Sequence, residues 1–188
     1  MKKISLLGST GSIGVNTLDV VERNPESFQV LAMSAGSNVD LFAEQVRKFK
    51  PKVASLFDTK KIATLKERVA DLDVEIIPGE EGSIAVATLS EADVVVSGVV
   101  GSAGLVPAME ALRAGKNLAL ANKETLVIAG ELVLKEAEKT NSQIIPIDSE
   151  HSAIFQALNG EKKERIKKII LTASGGPFRT FSLDQMEN

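Results

Sequence analysis

Residues 3–14 read Lys-Ile-Ser-Leu-Leu-Gly-Ser-Thr-Gly-Ser-Ile-Gly, an apolar run that passes directly into Gly8, Gly11 and Gly14, one glycine at every third position. A strand that ends in such a turn and continues as a helix faces unpaired backbone N–H groups outward, where a pyrophosphate can sit against the positive helix terminus. The spacing is G-x-x-G-x-x-G rather than the G-x-G-x-x-G of the dinucleotide fingerprint. Its flanks suit the motif, since Lys2 to Leu7 reads as a buried strand and Val15 to Val21 carries apolar residues at helical spacing. The same glycines would also serve a tight strand-to-helix turn with no ligand.

Further apolar runs bounded by turn residues recur at Phe28–Met33, Val53–Phe57, Val74–Ile77, Val94–Val96, Leu118–Ala121, Ile144–Ile147 and Ile169–Leu171. Between them lie amphipathic stretches such as Leu41-Phe42-Val46-Phe49, Val106-Met109-Leu112 and Leu126-Leu132-Leu134-Ala137. Alternating strand and helix predicts an α/β fold, a mainly parallel sheet with helices on both faces. Ligands in such open sheets bind beyond the carboxyl ends of the strands, so chemistry is sought in the loops there.

Composition narrows the function classes. A net charge of −3 provides no electrostatic footprint for nucleic acid or an anionic membrane surface. The lysines between Glu161 and Lys168 are interrupted by glutamates and read as a solvated turn. With no cysteine, disulfides, thiolate metal sites and cysteine nucleophiles are excluded. No apolar stretch approaches the ~18 residues of a membrane span, and the amino terminus does not read as a signal peptide. The expectation is a soluble protein of the bacterial cytoplasm or an organellar stroma, with neither nucleic acid nor membrane as a partner.

The loops after the strands carry the candidate chemistry. Ala35-Gly36-Ser37-Asn38 follows the second strand, where an NAD enzyme carries an acid for the ribose 2′-hydroxyl. The acid is missing, which removes the repulsion against a 2′-phosphate and favours NADP, although Gly-Ser-Asn is also an ordinary turn. Ser97 to Gly104 is rich in small residues that let backbone approach a cofactor. Lys123, in Ala121-Asn122-Lys123-Glu124, can reach an anionic or polarised oxygen from a strand end, or can simply open a surface helix. In Ile147-Asp148-Ser149-Glu150-His151, an extended backbone would put both carboxylates on one side, suited to a hard cation such as Mg²⁺ or Mn²⁺. Taken in isolation the segment reads rather as a helix through Ser152–Leu158, capped by Asp148 or Ser149 with acids in its first turn. His151, the one histidine, reads as a packing or supporting residue. Ser174-Gly175-Gly176 after the last apolar run is a plausible phosphate cradle, and also a common loop composition.

Taken in order, Gly8 to Gly14, Ser97 to Gly104, Leu120 to Glu124, Asp148 to Ala153 and Thr172 to Phe178 closely resemble the 1-deoxy-D-xylulose 5-phosphate reductoisomerase family over essentially the whole chain. The resemblance implies a Rossmann-like NADPH-binding domain over residues 1–147 and the beginning of an α/β catalytic domain over 148–188. It also implies NADPH- and metal-dependent isomerisation and reduction of 1-deoxy-D-xylulose 5-phosphate to 2-C-methyl-D-erythritol 4-phosphate, in non-mevalonate isoprenoid synthesis. By that resemblance Thr10, Gly11, Ser12, Ile13, Gly36, Ser37, Asn38, Asn122 and Glu124 contact NADPH. Lys123, Ser149 and Ser174 contact the phosphorylated sugar, Asp148 and Glu150 hold Mg²⁺ or Mn²⁺, and Lys123, Asp148 and Glu150 form the catalytic set.

Two departures qualify what the resemblance implies. Ser37 stands at a position often basic in the family, so NADP preference rests on the missing acid. The family also continues past the equivalent of Asn188 with a third metal carboxylate and a Trp-bearing lid. The expectation is therefore an amino-terminal portion, inactive alone, of an enzyme that is a homodimer at full length. A non-catalytic NADP-binding sensor module is the rival reading; it would need neither the acidic pair nor a second phosphate loop. Aspartate-semialdehyde dehydrogenase requires a cysteine that is absent, and homoserine dehydrogenase leaves the ordered motifs unexplained.

Overall fold

The protein was analysed as a computed structural model that describes residues 1–171 and 179–186. Among these, seven segments form strands: β1 (Lys2–Leu7), β2 (Phe28–Ala35), β3 (Val53–Leu56), β4 (Glu75–Pro78), β5 (Val94–Ser97), β6 (Asn117–Leu120) and β7 (Ile144–Pro146). They pair in parallel in the order β4-β3-β2-β1-β5-β6-β7. Parallel neighbours need crossover connections. These are supplied by the helices α1 (Ser12–Arg23), α2 (Val39–Phe49), α3 (Ile62–Arg68), α4 (Gly79–Thr88), α5 (Leu105–Arg113) and α6 (Lys123–Thr140).

Successive strand residues point to opposite faces, so the apolar runs feed two cores. Leu6, Met33 and Val96 pack with Phe42, Val46 and Leu65 on one face. Leu7, Val95 and Leu118 pack with Val86, Leu112 and Val133 on the other. Burying each such side chain contributes about 1.5–3 kcal/mol, which makes the sheet the rigid platform for the loops at its carboxyl edge.

The chain divides into two compact units, Met1–Asp148 and Ser149–Asn188. Within the second, α7 (Ser149–Leu158) is followed by a 3₁₀ turn at Lys163–Arg165 and a short helix α8 (Leu183–Met186). No helix among the described residues is long and apolar enough to cross a membrane.

Two expectations are corrected. Ile169–Leu171 is not a strand: all three residues are exposed, and no described strand lies beside them to complete a hydrogen-bonded ladder. An apolar run becomes a strand only when a neighbour takes its backbone groups. Leu132 and Leu134 of α6 are also exposed, whereas Val133 and Ala137 are buried. The helix is broken in phase at Ala129, whose φ of −141° is not helical. Residues 126, 133 and 137, seven and four apart, nevertheless keep ordinary helical spacing and form the inward stripe, with Leu126 partly buried against the core.

Candidate functional site

The glycine turn sits where the strand order reverses. From β1 the chain runs outward through β2 and β3 to β4, then resumes at β5 on the opposite side of β1. Such a switch point opens a crevice beyond the strand ends. Gly8 closes β1 at a φ of +80°, a conformation that favours glycine. Its N–H and that of Ser9 both donate to the Ser34 carbonyl, at 3.0 and 2.8 Å, which folds the turn over the end of β2. On the other flank the Gly98 N–H donates to the Leu7 carbonyl at 2.9 Å. A Cβ on Gly8 would lie only 2.9 Å from the Gly98 carbonyl carbon.

Helix α1 starts against this crevice. Gly11 is its N-cap, no side chain caps it, and its first turn holds no acidic residue. Val15 takes the N-cap carbonyl, donating to Gly11 O at 2.9 Å. The amides of Ser12, Ile13 and Gly14 precede that ladder and concentrate the positive end of the helix dipole. Gly14 allows the helix to lie on the turn, because a Cβ there would be 2.3 Å from the Gly8 carbonyl oxygen. A cleft of ≈ 250 Å³ is lined in part by Gly8, Thr10, Gly11, Gly36 and Gly98. It therefore joins Thr10 and Gly11 to Gly36, with Ser12 and Ile13 at the adjoining helix terminus. Ser37 and Asn38 are exposed on the β2–α2 loop, where the Asn38 side chain caps α2 by accepting from the Leu41 N–H at 3.3 Å.

The loop after β6 is held by Asn122. Its side chain is buried; Nδ2 donates to the Gly101 carbonyl at 2.8 Å and Oδ1 accepts from the Thr125 N–H at 3.3 Å, capping α6. A Cβ on Gly104 would lie 2.5 Å from Asn122 Nδ2, so the amide fits beneath the loop after β5. In this geometry Asn122 joins two loops of the carboxyl edge. Asn122→Ala should lower stability by about 2 kcal/mol, combining a lost cap with a lost side-chain bond to the Gly101 carbonyl. Asn122→Ser, which keeps a cap acceptor without burying a charge, should lose less; denaturant unfolding of the two variants measures the difference. Next to it, Lys123 is exposed and Glu124 half-buried in the first turn of α6.

Gln45 was not singled out by the sequence reading. It is buried on α2, and its Nε2 donates to the Ser9 carbonyl at 3.0 Å, fastening the glycine turn to that helix. The available signal was a polar residue on the same helical face as Phe42 and Val46.

Asp148 follows β7 at the same sheet edge as the glycine turn, three strand positions from β1. At about 4.8 Å per strand this is ~14 Å across the sheet. The extended alternation of Asp148 and Glu150 does not occur. Helix α7 begins at Ser149 and places Glu150 in its first turn, where the Ser149 hydroxyl donates to Glu150 Oε2 at 2.8 Å. Acid and hydroxyl chemistry at a helix start prevails over strand continuation here. Within the second unit, Ser149 and Glu150 line a cleft of ≈ 540 Å³ with Ala153 and Lys168. His151 is exposed. No group of three carboxylate or imidazole side chains that could hold a metal gathers among the described residues. Ser174 and the rest of the Thr172–Phe178 motif lie outside the described residues.

Parallel sheet, switch-point crevice, glycine turn and uncapped α1 terminus together define an α/β protein of Rossmann type. A family model described as 1-deoxy-D-xylulose 5-phosphate reductoisomerase matches residues 4–130, and one for the carboxyl-terminal domain of the same enzyme matches residues 144–188. The chain belongs to the 1-deoxy-D-xylulose 5-phosphate reductoisomerase family. It is 51% identical, over all of its 188 residues, to a reductoisomerase of Lachnospira eligens, of which it covers 49%. The reductoisomerase of Zymomonas mobilis, solved in complex with NADPH, superposes at a TM-score of 0.91 with 40% identity over 98% of this chain and 48% of that one. A reductoisomerase solved with NADPH, fosmidomycin and magnesium superposes at 0.89 with 39% identity over 99% of this chain and 48% of that one. The chain thus spans about half the length of the curated relatives it matches.

Proposed function

We propose that the first unit binds NADPH, and that the protein to which these residues belong isomerises and reduces 1-deoxy-D-xylulose 5-phosphate to 2-C-methyl-D-erythritol 4-phosphate. The observation that carries the cofactor reading is the α1 terminus. Gly11 brings no side chain to it, and Gly14 lets it rest on the Gly8 carbonyl, so a pyrophosphate finds backbone donors and a positive dipole with nothing in the way. Thr10 to Ile13 would hold the diphosphate, and Gly36 to Asn38 would face the adenosine. The reductoisomerase structures solved with NADPH support this reading.

Asp148 and Glu150 supply hard oxygen donors of the kind Mg²⁺ or Mn²⁺ takes, while further ligands come from substrate, water or other residues. A divalent ion in such a site acts as a Lewis acid on carbonyl and hydroxyl oxygens of the substrate, and NADPH supplies hydride. The protein's own contributions are positional. Lys123, exposed at the start of α6, offers a cation to substrate oxygens, and Asn122 fixes the register of that helix against the loop after β5. Ser149 offers a hydroxyl to the phosphorylated sugar, and we assign Ser174 the same role. Glu124 would complete the cofactor contacts.

Calorimetric titration of the 188-residue chain should detect NADPH binding, with NADH weaker. No turnover of 1-deoxy-D-xylulose 5-phosphate is expected from these residues alone, whose described part gathers no third metal-holding group. A preference for NADH would sink the cofactor assignment, and measurable turnover would sink the expectation of inactivity.

A further inference from the structure

We propose that Lys61 supplies the positive charge that reads the cofactor's 2′-phosphate; the inference rests on the NADPH reading above. In a doubly wound sheet the adenosine ribose lies at the loop after the second strand. Here that loop is Gly36-Ser37-Asn38, which contains no cation. The Asn38 side chain is engaged in capping α2. The charge arrives instead from the neighbouring strand.

Beyond β3 the backbone stays in step with β2: the Phe57 N–H donates to the Ala35 carbonyl at 2.9 Å and the Asp58 N–H to the Gly36 carbonyl at 3.0 Å. Asp58 then turns the chain, its Oδ1 accepting from the Lys60 N–H at 3.2 Å to cap the 3₁₀ turn Thr59–Lys61. That turn directs Lys61 back across the loop, where its Nζ donates to the Ser37 carbonyl at 2.8 Å. An ammonium has three donors and the Ser37 carbonyl takes one of them. The group is exposed beside Gly36, around which a Cβ would meet nothing within 4 Å, so there is room for a phosphate.

The surrounding charges favour an anion. Asp58 is the acid of this turn, and Lys60 and Lys61 outnumber it. Asp40, in the first turn of α2, is paired with Arg68. An NADH-selective loop would place an uncompensated carboxylate here. This one places an ammonium, anchored through a backbone carbonyl and thus independent of which side chain stands at position 37.

Three variants of the 188-residue chain, titrated with NADPH and with NADH, separate charge recognition from mere bracing of the loop. Lys61→Gln retains an N–H donor for Ser37 but no charge, and should weaken NADPH about tenfold, the scale of one charge-assisted hydrogen bond, while leaving NADH within twofold. Lys61→Arg should keep NADPH affinity near that of the parent, and Lys61→Glu should reverse the preference. The Lys61→Gln loss should also shrink as salt rises, because the contact is exposed. Parallel weakening of both nucleotides would make Lys61 a strut and overturn the proposal, as would an unchanged NADPH affinity. If the parent chain binds neither nucleotide, the NADPH reading fails along with it, a result distinguishable from a failure confined to the variants.

Discussion

Gly14→Ala should abolish detectable NADPH binding and destabilise the first unit by about 3 kcal/mol or more. The added methyl would stand 2.3 Å from the Gly8 carbonyl oxygen and 2.5 Å from both the carbonyl carbon and Cα of Ser9. All three are backbone atoms, so no rotamer change relieves the clash. The start of α1 must therefore lift off the turn, carrying the amides of Ser12 and Ile13 away from where the diphosphate would lie. Gly130→Ala on α6 is the control, because its Cβ would meet nothing nearer than Leu126 Cβ at 4.0 Å. Denaturant unfolding and NADPH titration of both variants check the expectation; a Gly14→Ala chain that binds like the parent would refute the assignment of the α1 terminus.

The second large effect lies away from the cofactor. A Cβ on Gly82 would be 2.1 Å from the Ile77 carbonyl oxygen and 2.3 Å from Ser55 Oγ. Gly82 is buried on α4, and Val86 and Ala87 on the same helix contribute to one of the two cores. Gly82→Ala should thus cost about 3 kcal/mol or more by pushing the helix from β3 and β4. That is a large part of the ~5–15 kcal/mol of a typical domain. Unlike the Gly14 change, it should leave NADPH affinity near normal in the fraction that remains folded. Thermal unfolding with and without NADPH separates the two: ligand should still raise the midpoint of Gly82→Ala, and should do nothing for Gly14→Ala.

What was legible in the sequence was local. The passage from Leu7 through Gly8, Gly11 and Gly14 is contiguous, and the alternation of apolar runs with amphipathic stretches indicates parallel strands without tertiary information. Contacts that join distant segments were not legible. Neither the Gln45 bond to Ser9 nor the Gly82 contact with Ile77 leaves more than a residue type out of place. The position of Asn122 at a strand end is legible, but only the structure shows both ends of its amide occupied by backbone. Asp148-Ser149-Glu150 allows a strand tail or a helix start, and the apolar residues Ala153, Ile154 and Leu158 that follow at helical spacing favour the helix, which is the element found. Ile169–Leu171 has a strand's composition, but composition does not supply the neighbour a strand requires.

The position of β1 between β2 and β5 has a bearing on biosynthesis. One wall of the crevice is Gly8; the opposing wall is Gly98, far later in the chain and held against it by the pairing of Ile4 to Leu7 with Val94 to Ser97. Until that later segment is made and paired, the crevice has only one of its two walls. The two sides of the crevice thus meet only through a long-range closure of the sheet.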